Sequence, residues 1–314
     1  MAGKWIAEAE AILICSGSGS LSAPLQSPGS RVFSSEEDFA SHYPAMSEWG
    51  YKTAVDCQEI LTDGKLSIYE QWGFWAEHAS KIKSSPVDSK TLETLGRIVG
   101  EKDYFIYSSS ADPFFERAGF DDRRIYPAAG SWEYYQCAQA CSSGSVFPAG
   151  PAMATILASL EDYGVVTNDC LPCCPLCGAS CVPNVRLNDL FLHDRYDASL
   201  SALIAWLESL YEKKTRLLVL ELDGACEATR LCSFVMESIA KDLGRLVRFS
   251  PERYPWVPAV LPEAVGLPCK SFQDLPQLLS EGAVLDILIE FLFISSSFPF
   301  QFILFHFISF SCHL

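Results

Sequence analysis

The stretch Ala11-Ile-Leu-Ile-Cys-Ser-Gly-Ser-Gly-Ser20 decides the fold, because a short apolar run passes directly into a loop of glycine and serine. Apolar runs of about four to eight residues bounded by turn residues are typical of strands buried on both faces of a parallel sheet. A glycine-rich loop after the first such strand is the usual opening of a nucleotide-binding α/β unit, because it lets backbone amides approach a phosphate. We therefore predict a first strand at residues 11–15 and a candidate phosphate loop that contains Gly17 and Gly19.

Further along the chain, strand patterns alternate with helix patterns. Continuous apolar runs predict further strands at residues 104–107, 217–222 and 246–249. Mixed or amphipathic patterns predict helices at residues 36–62, 67–83, 89–99, 199–210 and 231–243. Strands that alternate with helices indicate an α/β protein with a Rossmann-like, doubly wound parallel sheet.

Length and charge limit the classes of protein and partner. The chain has 314 residues, a formal net charge of −16 and 49% hydrophobic residues. Single cores stop growing at about 250–300 residues, so one large domain with a small module or tail fits this length. Because an acidic chain repels phosphate backbones and no basic run is longer than two residues, we expect no nucleic-acid partner.

The N-terminal segment does not resemble a secretory signal. Glu8 and Glu10 interrupt the apolar residues after Met1-Ala-Gly-Lys-Trp5, so no continuous apolar core of a signal peptide forms. The 13 cysteines are unevenly spaced, which is hard to reconcile with separate disulfides and indicates a reducing compartment. We therefore expect the protein in the cytoplasm or nucleus.

The C-terminal segment 283–314 has a different composition. From Phe291 to Leu314 it lacks Asp, Glu, Lys and Arg, and eight of these 24 residues are Phe. The length suits a membrane span, whereas Pro299, the serines at 295–297 and the lack of flanking cations count against one. A membrane anchor, an aberrant end that packs poorly and an extension of the core all remain open, and we place the end of the main domain at residue 282.

Four cysteines form two short-spaced pairs, Cys137-x3-Cys141 and Cys174-Pro-Leu-Cys177, with 32 residues between the pairs. Tetrahedral zinc takes four ligands, with sulfur at about 2.3 Å, and two such pairs supply them from two turns. We predict a structural zinc site with these four ligands, inside a small module at about residues 132–185.

Two alternatives to this ligand set remain open. Cys170-x2-Cys173 is a competing pair, so the spacing does not decide whether Cys173 or Cys174 reaches the metal, and Cys181 is a spare thiol. The second alternative is a set of reduced, buried cysteines that bind no metal.

Several segments, taken together, resemble the sirtuin family. Ser108-Ser-Ser-Ala-Asp112, followed by Phe114 to Phe120, resembles the family's Thr-Ser-Asn-Val-Asp-x-x-Phe-x-x-Ala-Gly-Phe, and Ala129-Gly-Ser131 resembles the His-Gly-Ser that precedes the first zinc cysteine. Other matching segments are Trp72-Gly-Phe74, Pro183-Asn-Val185 with Asp189, and Arg248-Phe-Ser-Pro251. Each motif alone is weak, but their order and spacing hold from about residue 11 to residue 282.

The resemblance implies a Rossmann-like NAD domain, a smaller zinc-bearing module and an acyl-lysine tunnel between them. Proteins of this family are deacetylases or deacylases that transfer the acyl group of a lysine in a protein or peptide to the ribose of NAD and release nicotinamide. A histidine acts as general base on the ribose hydroxyl, while Asn and Asp of the strand-end motif hold the nicotinamide ribose and amide.

Carried over one position at a time, the resemblance implies an eroded site. Ala129 occupies the position of the catalytic histidine, so we assign no catalytic residue, and Ser110 occupies the position of the asparagine. Pro24-Leu-Gln-Ser-Pro28 replaces an Asp-Phe-Arg clamp, and Asp223-Gly-Ala-Cys226 replaces a Gly-x-Gly-Thr loop. The candidate cofactor-binding residues implied by the resemblance are Gly17, Gly19, Ser110, Asp112, Gly224 and Ser250.

Two functional hypotheses follow. The first is a sirtuin-like NAD-binding domain that keeps its zinc, binds NAD weakly and acts as a pseudoenzyme or binding module for an acyl-lysine protein. The alternative is an active NAD-dependent deacylase or ADP-ribosyl transferase with a rearranged site. The alternative explanation of Asp112 is a helix N-cap. Asp223 is either a ligand of a ribose hydroxyl or simply the end of a strand.

Overall fold

The computed structural model describes residues 2–16, 36–52, 64–84, 89–160, 166, 170–186, 188–222, 231–250 and 256–269. The candidate residues Gly17, Gly19 and Gly224, the alternative ribose ligand Asp223 and the segment 283–314 lie outside these ranges. None of the helices within the described ranges is both long enough and apolar enough to cross a membrane.

Nine strands are described, and they form two sheets. In chain order they are β1 (Ala11–Ser16), β2 (Asp103–Ser108), β3 (Ile125–Pro127), β4 (Gly130–Cys137), β5 (Val146–Pro148), β6 (Cys181–Val185), β7 (Leu217–Leu222), β8 (Gly244–Ser250) and β9 (Ala264–Pro268). Six of them form a sheet in the order β3-β2-β1-β7-β8-β9, and every neighbouring pair is parallel. The strand order reverses between β1 and β7, so the prediction of a doubly wound parallel sheet is confirmed.

The central strands form because their side chains are apolar on both faces. All six residues of β1 and all six of β7 are buried, as expected for strands with helices on either side. Their register aligns Ser16 of β1 with Ser108 of β2 and Leu222 of β7. The carboxyl ends of the three strands therefore meet at one edge of the sheet, where open α/β sheets bind ligands.

Helices cover both faces of this sheet. The described helices are α1 (Ala2–Glu8), α2 (Glu36–His42), α3 (Pro44–Glu48), α4 (Ile68–Ser84), α5 (Ser89–Val99), α6 (Phe114–Arg117), α7 (Gly150–Ser159), α8 (Asp197–Lys213) and α9 (Leu231–Leu243). One core cluster includes side chains of α1 and α5, and a second includes side chains of α8 and α9. The two clusters contain alternate residues of β1, which places them on opposite faces of the sheet.

The predicted elements agree closely where the pattern is strong. The helices at 89–99 and 231–243 and the strand at 217–222 have the predicted bounds. The predicted helix at 36–62 is instead two short helices, α2 and α3, because Pro44 has no N–H to continue α2 and starts α3 in its first turn. Residues 53–62 of that prediction lie outside the described residues.

A smaller module joins the parallel sheet through β4. The antiparallel sheet β5-β4-β6 packs with residues of α2, α3, α4 and α7 around a third core cluster rich in aromatic rings. Trp72 and Trp75 of α4 are fully buried in this cluster. Three of the buried cysteines, Cys137, Cys174 and Cys181, belong to the same cluster.

Candidate functional site

The structure brings together Cys137, Cys141, Cys174 and Cys177, and all four sulfur atoms lie within 4.8 Å of one another. Cys137 ends β4 and Cys141 follows in the next turn, whereas Cys174 and Cys177 lie in the turn that precedes β6. The Sγ atoms of Cys137 and Cys177 are 3.5 Å apart, and those of Cys141 and Cys174 are 3.7 Å apart.

The backbone at the two turns explains how the sulfurs converge. Ala140 has a φ of 45° and its N–H donates to the carbonyl of Cys137 at 3.0 Å. Gly178 has a φ of 75° and its N–H donates to the carbonyl of Cys174 at 2.8 Å. A left-handed residue at each turn reverses the chain tightly, and glycine adopts this conformation without the steric cost that a side chain brings.

The separations of the sulfurs fit a tetrahedral zinc ion. Four thiolates at about 2.3 Å from a central ion are roughly 3.8 Å apart. The separations of 3.5 and 3.7 Å between the paired sulfurs are close to this value. Burial of the Cys137 thiol raises its pKa, but backbone N–H groups of Cys141 and Gln139 donate to its sulfur, and the net pKa is lowered to about 7. In the same cluster the pKa of the Cys141 thiol is raised to about 12, mainly by its hydrogen bond with the Cys177 side chain. Because zinc binds thiolates, metal binding would release protons from such thiols.

The competing thiols lie outside this group of four. The Cys173 side chain is exposed, with its Sγ 3.9 Å from the carbonyl oxygen of Leu171, and its backbone pairs with Ser180. Cys181 is buried and its carbonyl accepts a hydrogen bond from the Trp72 indole at 3.0 Å. Between the two residues that spacing left open, Cys174 is the one that the structure places in the cluster.

The serine-rich turn after β2 is folded against the end of β1. The backbone N–H and the hydroxyl of Ser109 both donate to the carbonyl of Ser16, at 2.8 and 3.2 Å. The Ser108 hydroxyl donates to the carbonyl of Ser110 at 3.1 Å, and the Ser110 hydroxyl accepts from the N–H of Asp112 at 3.2 Å. The candidate residues Ser110 and Asp112 therefore lie beside the end of β1, and both are buried.

Asp112 has a cationic neighbour rather than a capping role. Its carboxylate lies 3.6 Å from the Arg117 guanidinium, which also donates to the carbonyl of Ile82 at the end of α4 at 2.8 Å. The N-cap residue of α6 is Pro113, which makes no side-chain capping hydrogen bond. The alternative explanation of Asp112 as the N-cap is therefore wrong, and a buried carboxylate with one cation nearby remains at the edge of the sheet.

Ala129 lies where the resemblance places the catalytic imidazole. Its side chain is fully buried, and its carbonyl accepts from the N–H of Arg186 at 2.9 Å. The neighbouring Gly130 has a φ of 82°, and a Cβ atom at this position would lie 2.2 Å from the carbonyl oxygen of Asn184. Glycine is thus required at residue 130, while residue 129 offers only a methyl group, which accepts no proton.

The hydroxyl of Ser16 bears on whether a ligand could bind at the end of β1. This hydroxyl is fully buried and has no hydrogen-bond partner among the described residues, although it lies at the carboxyl end of β1, beside the reversal of strand order. Buried polar atoms normally have partners, so an orphaned hydroxyl at a ligand-binding edge fits a bound group that completes it. The residues present therefore fit a nucleotide at this edge.

Ser250 and a buried ionic network lie at the neighbouring strand ends. Ser250 ends β8, is buried, and its carbonyl accepts from the N–H of Cys269 at 2.6 Å. Arg248 of β8 donates to Glu221 of β7 at 2.9 Å and to Glu237 of α9 at 2.7 Å. Burial raises the pKa of Glu221, and Arg248 opposes this effect.

The sequence reasoning did not identify this network or the Arg117 partner of Asp112. A single glutamate inside the otherwise apolar run Leu-Leu-Val-Leu-Glu-Leu222 was the available signal, because a central parallel strand rarely carries a charge without a buried partner. The partner itself depends on which strands are neighbours, which the sequence does not specify.

Comparisons with known proteins bear on the fold. No protein-family model matches the chain. The chain is similar to a curated protein of Fusarium oxysporum f. sp. cubense, named a probable bifunctional ADP-ribose hydrolase/ADP-ribosyltransferase, with 24% identity over 227 residues. That match covers 71% of this chain and 36% of the curated protein, so the chain spans about a third of the length of this relative.

Two solved structures share the fold. One is a mutant Sir2 homologue in complex with 2′-O-acetyl ADP ribose, with a TM-score of 0.50, 15% identity, and coverage of 91% of this chain and 97% of that chain. The other is a mutant Sir2 homologue in complex with ADP ribose, with a TM-score of 0.50, 15% identity, and coverage of 92% and 98%. At this identity the likeness establishes the arrangement of the elements and nothing about the chemistry.

Proposed function

Because the chain has the sirtuin fold, we propose that it is an NAD-binding domain whose protein-lysine deacylase activity is impaired. The observation that carries the proposal is the orphaned hydroxyl of Ser16, which lies beside the buried turn that contains Ser110 and Asp112. The two Sir2 homologues of the same fold bind ADP-ribose compounds, which supports a nucleotide at this edge.

The residues present suggest how the chain would hold NAD. When bound, NAD supplies an electrophilic anomeric carbon with nicotinamide as leaving group. Ser16 would complete its hydrogen bonding with the nucleotide, and the Asp112 carboxylate, kept near the Arg117 cation, would accept hydrogen bonds from the ligand. Ser110 replaces a longer amide side chain, so we expect weaker binding than an asparagine would give.

The impairment of deacylation follows from Ala129. A general base contributes about 10²–10⁴-fold to a rate, and a methyl group cannot take the proton of a ribose hydroxyl. The scaffold around residue 129 is nevertheless ordered, because Gly130 packs on Asn184 and Arg186 holds the carbonyl of Ala129. We therefore propose a binding role for an acyl-lysine protein or peptide in place of efficient turnover.

Titration calorimetry tests the proposal directly. NAD and ADP-ribose should both release or absorb heat on titration into the full chain, with dissociation constants below the millimolar range. Asp112→Asn keeps the shape of the side chain and removes its charge, so it should weaken NAD binding while zinc content stays unchanged. Absence of any heat at millimolar NAD, with a folded zinc-loaded protein, would reject the proposed function.

A second candidate function is ADP-ribosyl transfer, which two observations favour. The curated relative carries this activity in its name, and Ala129 removes a base that acyl transfer needs at the ribose hydroxyl. Transfer of ADP-ribose to another nucleophile breaks the bond to nicotinamide without that proton transfer. Incubation with radiolabelled NAD, followed by gel autoradiography beside a deacetylation assay on the same sample, distinguishes the two activities.

The four-cysteine cluster completes the proposal. We propose that Cys137, Cys141, Cys174 and Cys177 hold a structural zinc ion, supported by their mutual distances and by the tight turns at Ala140 and Gly178. In the described chain the cluster contains four sulfurs and no further His, Asp or Glu, so all four positions of a tetrahedral ion would be filled. Such an ion would stabilise the module and would have no open position for a substrate.

A further inference from the structure

One buried tryptophan has a donor that nothing in the described structure satisfies. The indole Nε1 of Trp132 has no hydrogen-bond partner among the described residues, although the residue is only 4% exposed. An indole N–H can donate and cannot accept, and buried donors without a partner are rare in folded proteins. The unmet donor therefore requires an explanation.

Trp72 provides an internal comparison in the same core cluster. It is also fully buried, but its indole donates to the carbonyl of Cys181 at 3.0 Å. Both tryptophans pack among the aromatic side chains of the small module, so burial alone does not explain why one donor is satisfied and the other is not. The difference leaves the Trp132 donor open to a partner that is not among the described residues.

The position of Trp132 identifies where such a group would enter. The backbone N–H of Trp132 donates to the carbonyl of Ala111 at 3.2 Å, and Ala111 is the residue before Asp112. Trp132 also follows Ala129 by three residues along the chain. The Trp132 ring and the imidazole of His78 pack at a steep angle of 69°, with centroids 5.3 Å apart. Trp132 thus connects the Asp112 turn with the segment that the resemblance places at the catalytic centre.

The surroundings restrict the chemistry of the ligand group. The buried Asp112 carboxylate lies one residue from the backbone contact of Trp132 and is already paired with Arg117 at 3.6 Å, so an anionic ligand group there would have to share that cation with a carboxylate. The aromatic cluster disfavours an ion for a second reason, because burial of a charge without a counter-ion is costly. A neutral acceptor on a flat or apolar group fits both conditions.

We propose that the Trp132 indole N–H binds the amide carbonyl oxygen of a ligand that enters beside Asp112. This inference rests on the proposed function, in which two ligands carry such an oxygen. One is the carboxamide of the nicotinamide part of NAD, and the other is the amide of an acyl-lysine side chain. The shared chemistry is a neutral amide carbonyl, and the two sources are separated by the experiment.

Two-dimensional NMR of the full ¹⁵N-labelled chain reads the donor directly. The chain has seven tryptophans, and the indole signals of Trp132 and Trp72 are assigned by their absence in Trp132→Phe and Trp72→Phe. The protein is titrated separately with nicotinamide, NAD, ADP-ribose and an acetyl-lysine peptide, and calorimetry is run on the same samples. Phenylalanine keeps a ring at each position and removes the N–H.

We expect the Trp132 signal to shift with an amide-bearing ligand and the Trp72 signal to stay. A shift with nicotinamide and NAD but not with ADP-ribose supports the carboxamide, and a shift with the peptide alone supports the acyl amide. Trp132→Phe should weaken the same ligand about tenfold and leave the midpoint of thermal unfolding unchanged or higher, since an unsatisfied donor is removed. Trp72→Phe should lower that midpoint without changing the affinity.

Two results overturn the inference in different ways. If NAD or the peptide binds by calorimetry while the Trp132 signal and the affinity of Trp132→Phe are unchanged, the donor serves only a buried water and the proposed function stands. If neither ligand binds a folded protein, the proposed function fails, and the inference that depends on it fails too.

Discussion

Arg186 holds Ala129 by the backbone, with its N–H 2.9 Å from the carbonyl oxygen of Ala129, while its Nε donates to the neighbouring carbonyl of Ala128 at 3.0 Å. The guanidinium also lies over the ring of Phe191, 4.7 Å from its centroid. The backbone at residue 129 is therefore held in position, and within Ala129-Gly-Ser131 only residue 129 differs from the His-Gly-Ser that this segment resembles. This relationship makes restoration of the base a meaningful experiment.

We predict that Ala129→His introduces deacetylation of an acetyl-lysine peptide, about 10²–10⁴-fold above the unchanged protein. Because residue 129 is fully buried, the larger side chain should also lower the free energy of unfolding by about 1–3 kcal/mol. Ala129→Asn is the matched control, since it adds similar bulk without a base. Equal activity of the histidine and asparagine variants, with NAD binding retained, would contradict the prediction.

We expect the charges of Asp112 and Arg117 to contribute a measurable interaction energy to the free energy of unfolding. Asp112 is fully buried at its carboxylate, whereas the Arg117 side chain is 22% exposed, and the two groups are 3.6 Å apart. Arg117→Met leaves a buried carboxylate without its cation, so we expect a loss of about 3 kcal/mol in the free energy of unfolding.

A double-mutant cycle checks this assignment. The variant that combines Arg117→Met with Asp112→Asn removes both charges and should recover at least 1 kcal/mol relative to the sum of the single changes. Urea unfolding of the four proteins supplies the numbers. Additive losses would mean that the two charges do not interact, and the effect of Arg117 would then come from its other contacts, such as its hydrogen bond to Ile82.

The zinc content of cysteine variants tests whether Cys174 or Cys173 is the ligand. Cys174→Ser should remove stoichiometric zinc and lower the midpoint of thermal unfolding, because a serine hydroxyl is a poor ligand for this ion and the module folds around the metal. Cys173→Ser is the control, since its side chain is exposed and outside the cluster, and it should retain one zinc per chain. Elemental analysis after dialysis measures the zinc content of both variants. Loss of zinc in both would reject the assignment of Cys174, and not Cys173, as the zinc ligand.

The parallel sheet was predictable because its central strands are continuous apolar runs in the sequence. The runs at 11–15 and 217–222 are apolar throughout, and only a strand covered on both faces satisfies such a run. β9, in contrast, has the sequence Ala-Val-Gly-Leu-Pro268, whose glycine and proline are typical of a turn. It is a strand because β8 offers an open edge to pair with, which is a property of the sheet and not of the segment.

The candidate site was predictable only where chemistry imposes spacing. Two short-spaced cysteine pairs specify four convergent thiols, but the choice of Cys174 over Cys173 depends on which sulfur the turn directs inward. The contact between Asp112 and Arg117 and the unmet donor of Trp132 depend on side-chain placement between separate elements. Such contacts cannot be predicted from the periodicity or the composition of the sequence.

Glu116 gives the stability of the protein a pH dependence with a definite sign. Burial raises the pKa of Glu116 from the usual 4.5 to about 7, its own backbone N–H opposes this effect, and the negative charges of Asp122, Glu133 and Asp112 add to it. A carboxyl group with a raised pKa in the folded state stabilises that state below its unfolded pKa and loses the contribution as the pH rises through about 7. We expect roughly 2–3 kcal/mol of the free energy of unfolding to disappear between pH 5 and pH 8 from this group.

Glu116→Gln removes the titrating carboxyl group and retains the size of the side chain. Between pH 5 and pH 8, the free energy of unfolding of this variant should therefore fall by roughly 2–3 kcal/mol less than that of the unchanged protein. Urea unfolding at both pH values measures this difference, and other titrating groups cancel in the comparison. Glu208→Gln, on the exposed face of α8, is the control and should follow the unchanged protein. If Glu116→Gln instead shows the same pH dependence as the unchanged protein, the carboxyl of Glu116 is ionised throughout this range and burial does not control it.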